Sequence, residues 1–173
     1  MNIRKAVIED AYSIAAVQVN SWRTTYRGIV SDAYLSNMSI ESREQVWRGA
    51  ISPEANTDLR FIYVAEDDGG EVVGFAMGGP NRSKEFEYEG ELYAIYLLEH
   101  VQGQGIGANL VNQIVHDFIE HGIHSMLVWV LRGNKALGFY ERMGGQMIGS
   151  KTISIGEEEH EELALGWKEL RNN

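Results

Sequence analysis

Apolar positions recur along this chain first with a helical period and then with that of strands. Residues 3–6 read as a short opening strand. Ala11, Ile14, Ala15, Val19 and Trp22 then fall on one face of a helix over residues 11–23, with Asp10 placed to cap it. Residues 24–30 form a connection, 34–35 and 40–50 short helical pieces, and 52–58 a loop. Residues 60–66 change to β-branched and aromatic character. Asp67-Asp68-Gly69-Gly70 is a tight-turn signal, with residues 71–77 as the returning arm. Residues 78–90 read as a polar, acidic loop. Residues 91–98 (ELYAIYLL) are almost continuously apolar, as in a central strand covered on both faces.

Residues 105–120 carry an apolar stripe of Ile106, Leu110, Val111, Ile114, Val115 and Phe118 at helical spacing. Residues 125–131 (SMLVWVL) read as another buried strand. Residues 134–143 read as a shorter helix stopped by Gly144-Gly145. The last hairpin, 146–155 and 161–167 around Gly156, alternates Leu163, Leu165 and Trp167 with Glu162, Ala164 and Gly166. The order is mixed α and β around a strand–helix–strand unit. With no repeat or linker, 173 residues predict one domain spanning 1–173.

Composition narrows the possible functions. Hydrophobic residues make up 44% and charged residues 23%, an ordinary globular balance. No cysteine is present, which removes disulfides, thiolate zinc sites and cysteine nucleophiles together. His121-x-x-His124 lacks a third ligand, so no metal is expected. The formal net charge of −10 comes without a clustered basic surface, which argues against nucleic acid as a partner. Neither a signal peptide nor an apolar stretch of roughly 20 residues is visible, so a soluble, cytoplasmic protein with no membrane partner is expected. Two acidic stretches stand out: Glu85, Glu87 and Glu89, and Glu157 to Glu159 with Glu161 and Glu162. They read as solvated loops or as attractors of a basic substrate.

The segment most suggestive of chemistry is Gln102-Gly103-Gln104-Gly105-Ile106-Gly107-Ala108, between a buried strand and an amphipathic helix. Alternate glycines leave the backbone bare, and the first helical turn offers unpaired N–H groups with a partial positive charge, a setting suited to phosphates. No Gly-Lys-Ser/Thr follows, so it is not a P-loop, and it lies too late in the chain for a dinucleotide fingerprint. A tight strand-to-helix turn without a ligand stays open as the alternative.

Gln102, Gly105 and Gly107 match the Q/R-x-x-G-x-G/A motif, and the chain here resembles the GNAT N-acetyltransferases. The segment from Asn134 to Gly145 (NKALGFYERMGG) is similar to that family's second signature, N-x-x-A-x-x-F-Y-E-x-x-G-F, and Ser21 to Ile29 to its first-helix region. Departures are Gln102 for the commoner arginine, Gln104 where Lys or Arg often stands, Ala136 one residue early and Gly145 for phenylalanine. The resemblance implies a mixed, mostly antiparallel sheet of six or seven strands, flanked by helices, with splayed central strands. Acetyl-CoA would be the co-substrate, its pantetheine along Leu97 and Leu98. Its pyrophosphate would rest on Gln102, Gly103, Gln104, Gly105, Ile106 and Gly107, with Asn134 and Tyr140 also in contact.

By the same resemblance the chain would move acetyl directly to a primary amine of a small molecule, polyamine or peptide. The alternative is a non-catalytic acyl-CoA-binding sensor on the same fold. An ammonium has no lone pair, so a general base is needed. Glu91, eleven positions before Gln102, is the candidate, its pKa raised by desolvation. Tyr140 would protonate the leaving thiolate, and a backbone N–H near Leu98 would hold the oxyanion. Trp22, Tyr26, Tyr93 and Tyr96 are candidates to line the acceptor site, and the exposed last hairpin suggests a homodimer.

Overall fold

A computed structural model of the chain describes residues 1–53 and 59–172. Of the loop expected over residues 52–58, residues 54–58 lie outside the described residues. In chain order the elements are β1 (Asn2–Lys5), α1 (Ala11–Thr25), α2 (Asp32–Asn37), α3 (Ile40–Ile51), β2 (Phe61–Glu66), β3 (Val72–Pro80) and β4 (Gly90–Leu97). Then come α4 (Ile106–Glu120), β5 (Met126–Leu131), α5 (Ala136–Arg142), β6 (Gln146–Ile155) and β7 (Glu158–Trp167). The seven strands make one sheet ordered β1-β2-β3-β4-β5-β7-β6, antiparallel except for the β4–β5 pair. Both the mixed, mostly antiparallel sheet and the flanking helices agree with the expected architecture.

The apolar stripe of α4 buries Leu110, Ile114 and Phe118 against Ala76, Leu92, Val128 and Leu165 on one face of the sheet. On the other face, Ile14 and Val17 of α1 and Trp47 of α3 pack on Val64, Phe75 and Met77. Among the described residues no helix is long and apolar enough to cross a membrane.

Four local expectations change. Asp10 does not cap α1: its carboxylate accepts the Val7 N–H at 2.8 Å and the Arg4 guanidinium at 2.7 and 2.9 Å. An ion pair to the first strand has displaced the cap. β3 continues through Gly78, Gly79 and Pro80, which read as loop. A Cβ on Gly78 would stand 2.6 Å from Ile114 Cγ2 and 2.9 Å from Phe118 Cζ, so glycine is there because α4 presses on the strand. α5 begins at Ala136: the Asn134 side chain accepts the Ala136 N–H in a local turn, and residues 134 and 135 stay outside the helix. β7 begins at Glu158 and lies between β5 and β6, so Ala164 and Gly166 are as buried as Leu163 and Leu165.

The feature that positions a site is a bulge in β4. Met77 opposes Ala94 and Gly78 opposes Leu92, which leaves Tyr93 as the extra residue. The bulge puts Glu91, Ala94 and Tyr96 on one face and Leu92, Ile95 and Leu97 on the other. It also adds twist at the point where β4 leaves β5, since the two pair only at Gly90–Met126, Glu91–Leu127 and Leu92–Val128. Beyond that level the strands part. Residues 93–97, although apolar, are only half-buried: β3 flanks them on one edge, and no strand pairs with them on the β5 side.

Candidate active site

The site is built around that opening. The Leu98 N–H donates to Val73 O at 2.9 Å, so Leu98 bonds toward β3. By alternation, Leu97 and Ile95 turn their backbone groups toward the opened side. The Leu97 carbonyl accepts from Ser21 Oγ and Gln102 Nε2, each at 3.0 Å. Near Leu98, where a backbone N–H was expected for the oxyanion, the sheet consumes the Leu98 donor and by alternation the Leu97 N–H faces the gap.

Past Leu98 the chain makes a 3-10 turn (Glu99–Val101) and enters the glycine loop. Gly103 and Gly105 sit at φ +74° and +82°, which L side chains rarely adopt. The N–H groups of Gly103, Gln104, Gly105, Ile106, Gly107 and Ala108 donate to no acceptor among the described residues. They lie at the start of the 15-residue α4, where the helix dipole adds partial positive charge. Gln102 donates its amide back to Leu97 O of β4, and Gln104 donates to His100 O at 3.1 Å. Bare amides at a helix start fit a pyrophosphate, and unpaired strand groups fit an extended amide-bearing arm.

Tyr140 projects from α5 and is 5% exposed. Its ring packs against Phe139 and Trp167, with centroids 5.2 and 6.4 Å away. Its hydroxyl makes no hydrogen bond with any described residue. Burial, with Tyr96 close by, pushes its pKa well above the ordinary tyrosine range. The phenol thus stays protonated and has a proton to give. Beyond it lie Tyr26 and Tyr96, both likewise raised by burial. Trp22 meets Tyr26 edge-on, with ring centroids 4.6 Å apart, and lies 6.4 Å from Tyr96. The Trp22 indole N–H is buried and unpartnered. Asn134 reaches Tyr26 Oη at 3.4 Å while its Oδ1 accepts the Ala136 N–H at 2.9 Å, so both its polar ends are engaged within the protein.

Glu91 is placed differently from its expected role. It is 4% exposed and does not stand as a free carboxylate. Both oxygens are taken by Arg82, through the guanidinium at 2.6 and 3.3 Å and the main-chain N–H at 3.0 Å. One guanidinium and one main-chain N–H thus occupy both carboxylate oxygens in charge-assisted hydrogen bonds. Arg82 also covers the Tyr93 ring at 3.8 Å, and the Tyr93 hydroxyl donates to Pro80 O. Glu91, Arg82 and Tyr93 therefore form one wall, with the Tyr93 polar end committed to the protein. Residues 81–89 continue that wall across β5, β7 and β6. Phe86 lies 5.9 Å from the Trp129 ring and against Gly149, and Tyr88 lies against Gly166.

The structure brings Tyr140, Tyr26, Trp22 and Tyr96 together at the opening, with the glycine loop at its end. Sequence reasoning missed Arg82, Trp129, Lys151 and Ser21. Trp129 carried the one usable signal, a lone aromatic in an otherwise aliphatic strand. Arg82 sits in a polar run that looks like any loop.

Comparison with known proteins gives the family and the shared fold. Residues 20–145 match the acetyltransferase (GNAT) family. The chain is 38% identical over 170 residues to the uncharacterized N-acetyltransferase YuaI of Bacillus subtilis, covering 98% of this chain and 94% of that protein. It is 27% identical over 147 residues to spermidine N(1)-acetyltransferase of Thermoplasma acidophilum, covering 83% and 87% of the two chains. The fold is shared with the crystal structure of the PaiA N-acetyltransferase of Thermoplasma acidophilum in complex with coenzyme A. There the TM-score is 0.68 and the identity 23%, over 95% of this chain and 96% of that one. This chain belongs to the acetyltransferase (GNAT) family and is an acetyl-CoA-dependent N-acetyltransferase.

Proposed function

We propose that the chain transfers the acetyl group of acetyl-CoA directly to a primary amine of a small molecule, polyamine or peptide, with Tyr140 as the proton donor. The observation that carries this is Tyr140, a buried residue whose protonated hydroxyl has no hydrogen-bond partner among the described residues. The free amides from Gly103 to Ala108 hold the pyrophosphate. The gap beside Leu97 and Leu98 takes the pantetheine as an added strand would sit. Gln102 fixes the Leu97 carbonyl, and Asn134 seats α5 and, through it, Tyr140. Trp22, Tyr26 and Tyr93 shape the acceptor side. Acetyl-CoA supplies an activated thioester. The chain's own residues bind it, exclude water from the gap and give a proton to the departing sulfur. Absence of cysteine from the sequence excludes a cysteine-bound acyl-enzyme.

Thiol release from acetyl-CoA against spermidine, alkyl diamines, amino acids, aminoglycosides and peptides with free amines tests the reading. Turnover with one class supports it. Acetyl-CoA binding without turnover on any amine would leave a sensor instead.

A further inference from the structure

Glu162 is a half-buried carboxylate on β7 with no hydrogen bond or ion pair to any described residue. Such a group is costly unless a cation or a proton meets it. Its neighbours place it at the acceptor side of the opening. Across the sheet it pairs with Leu131 of β5 and with Lys151 of β6, and cross-strand partners share a face. Leu131 packs in the cluster that holds Trp22, Tyr26 and Tyr96. Glu162 therefore stands beside the aromatic cluster, at the level where β5 has already left β4. Lys151, the cation best placed to neutralise it, sets its ammonium over the Trp129 ring at 3.9 Å instead. The Trp129 indole N–H is buried without a partner in the same region.

We infer that Glu162, rather than the clamped Glu91, accepts the proton of the incoming ammonium; this assignment rests on the acetyl-transfer reading above. One N–H bond of the ammonium breaks and its proton goes to the Glu162 carboxylate. The freed lone pair forms the N–C bond to the acetyl carbon as the C–S bond breaks. Sulfur takes the Tyr140 proton, and Tyr140 is restored by the second proton lost from nitrogen. Glu162 then releases its proton to solvent.

Burial pushes the Glu162 carboxyl above the usual carboxylate range; Lys151 and Arg82 oppose the rise, and Glu91 and Glu85 add to it. Tyr96 faces it from β4, and His160 lies two residues along β7 on the same face. A carboxylate held up in this way is a better base near neutral pH than an ordinary one.

The test is kcat/KM against pH for wild type, Glu162→Gln, Glu162→Asp, Glu91→Gln and the exposed control Glu159→Gln, with acetyl-CoA affinity measured for each. The acceptor is whichever of spermidine, an alkyl diamine, lysine or a basic peptide turns over fastest. Glu162→Gln should lose about 100-fold or more in kcat/KM and lose the acidic limb of the profile, with acetyl-CoA binding unchanged. Glu162→Asp should recover part of the rate with a shifted limb, Glu91→Gln should keep a limb displaced to lower pH, and Glu159→Gln should keep the limb in place. Wild-type turnover that survives Glu162→Gln with its acidic limb intact would overturn this assignment alone. Absence of thiol release from wild type with every amine would overturn the acetyl-transfer reading and this assignment with it.

Discussion

Tyr140→Phe separates chemistry from structure unusually cleanly in this protein. The substitution removes one oxygen from a residue that is 5% exposed. No protein hydrogen bond is lost, and the ring contacts to Phe139 and Trp167 remain. Removing a hydroxyl that has no protein partner should change stability by less than about 1 kcal/mol, in either direction. For a chain of this size that is a shift in Tm of no more than about 4 °C. Loss of a proton donor to the departing sulfur should lower kcat by about 10²–10⁴-fold. Affinity for acetyl-CoA should hold within about two-fold, since the donor acts only as the bond breaks. Because the phenol is held above its ordinary range, wild-type kcat should show no falling limb near the usual tyrosine value of about 10. Thermal unfolding, acetyl-CoA titration and thiol release on one preparation give all four numbers. A Tm drop well beyond that range would make the hydroxyl structural. An unchanged kcat with unchanged stability would refute the proton-donor role outright.

Three further outcomes follow from the same geometry. Gly105→Ala meets no atom within 4 Å, so its cost is backbone strain at φ +82° alone. It should lower stability by about 1–2 kcal/mol and weaken acetyl-CoA binding several-fold, measured by unfolding and calorimetry. Gly78→Ala drives a methyl into Ile114 and Phe118 and should cost about 1–3 kcal/mol in urea unfolding, while acetyl-CoA affinity holds. Asp10→Ala breaks the pair with Arg4 and should cost about 2 kcal/mol at neutral pH. Burial would raise the Asp10 pKa, but the Arg4 and Val7 hydrogen bonds together outweigh it and hold it low. The stabilisation is therefore present above the unfolded value and lost as pH falls through the lower folded one. The gap between variant and wild type in unfolding should close in acid.

Most elements were legible because their signals are local. The stripe of α4 specifies a helix by period, and the Asp67 to Gly70 turn specifies a hairpin by backbone chemistry. The glycine loop was likewise legible as a bare strand-to-helix turn, and the Phe139-Tyr140 pair as part of a short helix. Elements went astray where a distant neighbour decided the outcome. Gly78 and Gly79 looked like loop because their reason for being glycine lies on α4 and in the Tyr93 ring. Asp10 looked like a cap because its partner Arg4 is recruited only when β1 joins the sheet.

Sequence alone thus determined the succession of strands and helices, the anion-ready loop and the exclusion of a cysteine-borne acyl group, since each depends on period, bare backbone or residue inventory. Tertiary structure decided which carboxylate is free. Glu91 and Glu162 are equivalent as letters in the chain. Folding brings Arg82 onto one, and by settling Lys151 on Trp129 it leaves the other without a direct ion pair, with Lys151 and Arg82 acting on it only from a distance. Ionic pairing between residues far apart in sequence depends on strand register and the β4 bulge, and neither is written in any local pattern.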